Sequence, residues 1–168
     1  VLYMPGANER ALEKAKTIDA DALILDLEDS VAPDSKEQGR ANVVAAVRSG
    51  EYGRRELAIR VNSIGTERHD ADIAAAAQAG PDAILVPKVE SAGQVLDLVT
   101  AIESAGAPAH TRLWAMIETP KALLHAEEIA AAHPRLTVIV MGTNDIVNET
   151  YGLHVPGRNP LVLTALSW

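Results

Sequence analysis

Six times along this chain a short aliphatic run gives way to a turn or a helical pattern, and four of the runs end on a polar or charged residue. The runs cover residues 1–4, 21–29, 57–62, 82–88, 113–118 and 137–141, and five helical stretches separate them. Such alternation predicts an α/β fold with a parallel sheet and right-handed crossovers. The clearest unit is Leu113-Trp-Ala-Met-Ile-Glu-Thr-Pro-Lys121. It reads as a buried strand that ends on Glu118 and turns at once into a helix, with Thr119 suited to the N-cap and Pro120 to the first helical position. The device recurs at the sixth run, which is followed by Gly142-Thr-Asn-Asp145. Two carboxylates from neighbouring strand ends, with open positions between them, suit a hard divalent cation such as Mg²⁺ or Mn²⁺.

The other units add charge to the same ends. In residues 21–29, Leu23, Leu25 and Leu27 share one face, and Ala22, Ile24, Asp26 and Glu28 share the other. Three acids within Asp26-Leu-Glu-Asp29 are costly unless a cation meets them, which places this segment in the site. The 57–62 strand puts Ala58, Arg60 and Asn62 on one face. Arg60 has two compatible readings: a structural pair with Asp26 or Glu28, or a fork that grips a substrate carboxylate. Lys88 ends the 82–88 strand and reads as a counter-charge in preference to a Schiff-base nucleophile, because carboxylates crowd the same rim. Asp34 and Glu37 predict a capping box for a helix reaching Arg48. Asn8 predicts the cap of a first helix, whose exposed side carries Arg10, Lys14 and Lys16. Helices are also expected over 70–79, 91–104 and 121–132, then an irregular loop over 151–158 and an apolar run over 161–168.

Glu28, Asp29, Arg60, Lys88, Glu118 and Asp145 thus fall at the ends of five successive strands. An open doubly wound sheet would spread them along an edge, whereas a closed (β/α)₈ TIM barrel gathers them into one ring. The barrel is the expectation, as a single incomplete domain over 1–168 with about six βα units, since a complete barrel takes about 250 residues.

The remaining composition excludes more than it selects. A net charge of −8 argues against nonspecific nucleic-acid binding, and the absence of Cys excludes thiolate sites and disulfides. No run approaches the roughly 20 apolar residues of a membrane span. The expected location is the cytoplasm.

Leu2-Tyr-Met-Pro-Gly6, Leu25-Asp-Leu-Glu-Asp-Ser-Val31, Arg60-Val-Asn62, Pro87-Lys88, Met116-Ile-Glu-Thr119 and Met141-Gly-Thr-Asn-Asp145 together resemble the citrate lyase β-subunit-like (CitE-like) proteins of the HpcH/HpaI aldolase group, within the phosphoenolpyruvate/pyruvate-binding barrels. The resemblance implies a Mg²⁺ site at Glu118 and Asp145, with Glu28 and Asp29 holding metal-bound waters as catalytic groups. It implies that Arg60 binds the oxo-acid carboxylate or enolate oxygen, that Glu118 and Thr119 help bind substrate, and that Arg10 and Lys14 are CoA-binding candidates. The activity implied is C–C cleavage or formation between a 2-oxo acid and an acyl-CoA, as in citryl-CoA, malyl-CoA or citramalyl-CoA lyases, by a homo-oligomer (trimer or hexamer). Asp29, where the HpaI-type branch has a His, favours the CoA branch. The alternatives are a metal-dependent aldolase for free 2-oxo acids and a non-catalytic CitE-like partner subunit.

Overall fold

The computed structural model describes residues 1–153. The expected apolar run over 161–168, and the expected loop past residue 153, lie outside the described residues. Six strands, β1 (Leu2–Pro5), β2 (Ala22–Asp26), β3 (Glu56–Arg60), β4 (Ala83–Val86), β5 (Arg112–Ile117) and β6 (Leu136–Met141), form one sheet in chain order. Every neighbouring pair is parallel. This is the order and direction of consecutive strands in a (β/α)₈ barrel, and it follows from the right-handed crossover made by each intervening helix.

Alternation along the strands separates two apolar layers. Leu23, Leu25, Ile59, Ile84, Val86, Leu113 and Ile117 pack with helix residues such as Leu12, Val43, Ile73, Val95, Leu98 and Ile102. The opposite face carries a smaller cluster of Ala22, Ile24, Ala58, Ala83, Leu85, Trp114 and Met116, with Val138 and Val140 beside it. Along β2 and β3 this second face continues into Asp26 and Arg60, which sit side by side in register. The site is therefore the polar end of the inner layer. All of its parent strands run the same way, so their carboxyl ends lie at one rim.

The helices are α1 (Glu9–Ala15), α2 (Lys36–Ser49), α3 (His69–Ala79), α4 (Ala92–Ser104), α5 (Pro120–Leu124), α6 (Ala126–Ala131) and α7 (Thr143–Glu149). Asn8 caps α1 by accepting from the Ala11 N–H at 3.0 Å, as its position predicts. Two expectations need correction. The Asp34–Glu37 capping box does not form: Pro33–Ser35 is a 3₁₀ turn, and α2 starts after Ser35 without a side-chain cap. Pro33 accounts for this, because its fixed φ favours a tight turn at the entry to the helix. The helix expected over 121–132 is two short helices that meet at His125, whose φ of −111° and ψ of 13° are not helical. Asp145 lies in the first turn of α7. Among the described residues, no helix is long and apolar enough to cross a membrane.

Candidate active site

Arg60 is the first organising group. Its Nε donates to Asp26 Oδ1 at 2.6 Å and its Nη2 to Asp26 Oδ2 at 2.7 Å, a two-pronged pair with Asp26 1% exposed. Burial alone would raise the Asp26 carboxyl, but its bonds to Arg60 outweigh that and hold it below the usual carboxylate range. Only Nη1 turns to the rim, 3.0 Å from Glu28 Oε2 and 3.3 Å from Asp29 Oδ2. Both readings of Arg60 thus find a place: two nitrogens are structural and one is presented to the site. The Tyr3 ring lies under the guanidinium, 5.0 Å from centroid to carbon. Glu28 is largely buried and accepts from Ser63 Oγ at 2.7 Å, while Asp29 keeps 74% of its side chain exposed.

Glu118 is the second. It is 3% exposed, and its Oε1 accepts from the Lys88 N–H at 3.0 Å. Burial, then repulsion from Glu28 and Asp145, push its carboxyl up to about 7, against the nearby Lys88 ammonium. Glu28, Asp145 and Lys88 thus all lie close enough to bear on this carboxyl. Lys88 Nζ is 3.5 Å from Asp145 Oδ2. Thr119 caps α5, as expected, by accepting from the Ala122 N–H at 3.1 Å, and its hydroxyl donates to Glu90 at 2.9 Å. Its hydrogen-bonding capacity thus serves the turn that carries Glu118. Arg10 and Lys14 are exposed on α1.

The donor set fits a Mg²⁺-like cation. Glu118 and Asp145 supply hard oxygens beside a third carboxylate, and after burial the rise of Glu118 comes from those neighbouring carboxylates, a repulsion that a divalent ion would relieve. Among the described residues no group of three or more His, Cys, Asp or Glu is placed to hold a metal ion by itself. Mg²⁺ takes only one or two protein carboxylates beside waters and substrate oxygens, so a site here would rest on Glu118 and Asp145 alone.

Sequence reasoning missed two contributors. Gly142 lies against the Glu118 side chain: a Cβ there would collide with Glu118 Cβ and fall 2.5 Å from Oε2. Gly142→Ala is therefore expected to displace the carboxylate, weakening Mg²⁺ binding about tenfold or more and costing about 1–3 kcal/mol of stability. Titration calorimetry and urea melts would check this, and unchanged Mg²⁺ affinity would contradict it. Lys36 is the other. Its Nζ donates to Leu27 O at 2.7 Å, Glu28 O at 2.6 Å and Asn62 Oδ1 at 2.8 Å, fixing the turn that carries Glu28. Asn62 is held in turn by Asp72, and Asp72 by Arg40. A faint signal existed: a cation at the first position of α2 opposes the helix dipole, so it calls for acceptors outside the helix.

The comparisons bear on this geometry. The family model described as HpcH/HpaI aldolase/citrate lyase matches residues 1–166. The chain is 48% identical over 158 residues to a (3S)-malyl-CoA thioesterase of Cereibacter sphaeroides, covering 94% of this chain and 53% of that protein. It is 40% identical over 163 residues to an L-malyl-CoA/β-methylmalyl-CoA lyase of the same species, covering 93% and 51%. It spans about half the length of these curated relatives. Among solved structures, the protein CitE of Mycobacterium tuberculosis in complex with magnesium, acetoacetate and coenzyme A matches with a TM-score of 0.80 at 28% identity, covering 99% of this chain and 58% of that one.

Proposed function

Since the chain belongs to the HpcH/HpaI aldolase/citrate lyase family, we propose that it carries the metal-binding part of a lyase that cleaves, or forms, the C–C bond between a 2-oxo acid and an acyl-CoA. The observation that carries this reading is one cluster of carboxylates and cations at the strand ends: Glu28 beside one guanidinium nitrogen of Arg60, Asp145 beside the Lys88 ammonium, and Glu118 on the Lys88 N–H with its carboxyl raised in part by Glu28 and Asp145. Cleavage of a 3-hydroxyacyl-CoA removes the hydroxyl proton, breaks the bond between the hydroxyl-bearing carbon and the carbon next to the thioester, and leaves the electron pair on the thioester enolate, which is then protonated. Negative charge develops on oxygen throughout.

Glu118 and Asp145 would hold Mg²⁺ or Mn²⁺, supported by the CitE structure that contains magnesium. When bound, the cation supplies Lewis acidity toward the oxo-acid oxygens. Arg60 adds a fixed positive charge that Asp26 prevents from turning away. Glu28 and Asp29, both beside Arg60 Nη1, would order water at the rim. Thr119 would serve substrate binding through the turn it caps. Arg10 and Lys14, exposed on α1, are the proposed contacts for CoA phosphates. A homo-oligomer, as the resemblance to the CitE-like proteins implies, and a cytoplasmic location, which suits a sequence without Cys, complete the proposal.

A second reading is thioester hydrolysis, favoured by the higher identity to the thioesterase than to the lyase. Incubation with malyl-CoA and Mg²⁺ separates the two. Lyase activity yields glyoxylate and acetyl-CoA, whereas hydrolysis yields malate and free CoA. Neither pair appearing, from protein that binds Mg²⁺, would contradict both and favour the non-catalytic partner.

A further inference from the structure

Lys88 is where the rim departs most from ordinary backbone. Its φ is 55°, a left-handed conformation that costs a non-glycine residue on the order of 1–2 kcal/mol. β4 ends at Val86 with that side chain in the helix-facing layer, so continued extension would send Lys88 to the same side. The left-handed turn returns it to the rim. There its N–H donates to Glu118 Oε1 at 3.0 Å and its Nζ stands 3.5 Å from Asp145 Oδ2. One residue thus touches both proposed metal carboxylates.

The three rim cations differ in freedom. Arg60 is pinned by two bonds to Asp26, and Lys36 by two carbonyls and Asn62. Lys88 keeps 44% of its side chain exposed, and 3.5 Å is long beside the roughly 2.8 Å of a tight charge-assisted bond. Its ammonium is held by attraction to the acids and is open to a ligand from solvent. A divalent ion taking Glu118 and Asp145 would leave that ammonium without its counter-charge.

We infer that Lys88 is a substrate-binding residue whose ammonium occupies Asp145 until a divalent cation takes that carboxylate, and then pairs with the carboxylate of the 2-oxo acid. The inference rests on the metal-dependent reading above. Its test is calorimetry on the full chain and on Lys88→Met, titrated with Mg²⁺ and then, when Mg²⁺-saturated, with pyruvate. Lys88→Met is expected to bind Mg²⁺ about threefold tighter or more, because a competing positive charge is gone. Pyruvate should then bind about tenfold more weakly, because its charge-assisted partner is gone. Lys88→Gly should show the same two shifts while melting above Lys88→Met, because glycine relieves the left-handed strain. Unchanged pyruvate affinity in both variants, or weaker Mg²⁺ binding, would overturn the inference and leave Lys88 a structural counter-charge. Wild-type protein that binds no Mg²⁺ would instead defeat the metal-dependent reading itself.

Discussion

Glu118→Gln is expected to abolish Mg²⁺ binding and, at pH 8, to raise the melting temperature of the metal-free protein. The first effect follows from removing a charged ligand from a site with only two proposed protein carboxylates. The second follows from the surroundings of Glu118. Its carboxyl is pushed up to about 7 from an ordinary value of 4.5 by burial and by the Glu28 and Asp145 carboxylates. A carboxyl raised on folding favours the protonated native state, so its contribution to stability is fully present below pH 4.5. It is lost as pH rises through about 7. At pH 8 the ionised group therefore destabilises the fold by about 1–3 kcal/mol. Gln keeps an acceptor for the Lys88 N–H and carries no charge, so its melting temperature should stay flat across that window while the wild type's falls. Mg²⁺ competes with the proton and should stabilise the wild type more at pH 8 than at pH 6. Melts of both proteins at the two pH values, with and without Mg²⁺, check all of this. A Glu118→Gln protein less stable than wild type at pH 8 would contradict it.

The second large effect is at Arg60. Arg60→Met is expected to cost about 3–5 kcal/mol, because it takes both guanidinium bonds and the counter-charge from the buried Asp26 carboxylate and leaves it only the Glu28 and Ser30 N–H groups. Urea melts should show this loss, and Arg60→Met combined with Asp26→Leu should recover most of it, since an apolar pair leaves no buried charge. The single variant should retain Mg²⁺ binding, as neither Glu118 nor Asp145 bonds to Arg60. A loss below about 1 kcal/mol would contradict this and show that the Glu28 and Ser30 N–H groups suffice to hold the Asp26 charge.

Much of this arrangement was legible in the sequence because two periodicities do most of the positioning. The alternation along residues 21–29 and 57–62 already put Asp26, Glu28 and Arg60 on one face, and the βα repeat put their strands in order. The Thr119-Pro120 start of α5 was also plain, as its cap is local chemistry. Capping at Asp34 failed because Pro33 tightened the chain into a 3₁₀ turn. The break at His125 left no Pro or Gly to announce it. Lys36 and Gly142 act through partners eight or more positions away; the place of Lys36 at the start of α2 hints that it needs acceptors, but the local sequence of neither residue names its partners. The left-handed turn at Lys88 is likewise a product of the site around it, since nothing about a lysine after Pro87 calls for it.

Crystals of the protein soaked in Mn²⁺ offer the most direct measurement, through the anomalous signal of the ion. A single peak within coordination distance of both the Glu118 and Asp145 carboxylates, on the rim shared with Glu28 and Lys88, is the expected result. A peak bound elsewhere, with those two carboxylates left unligated, would contradict it.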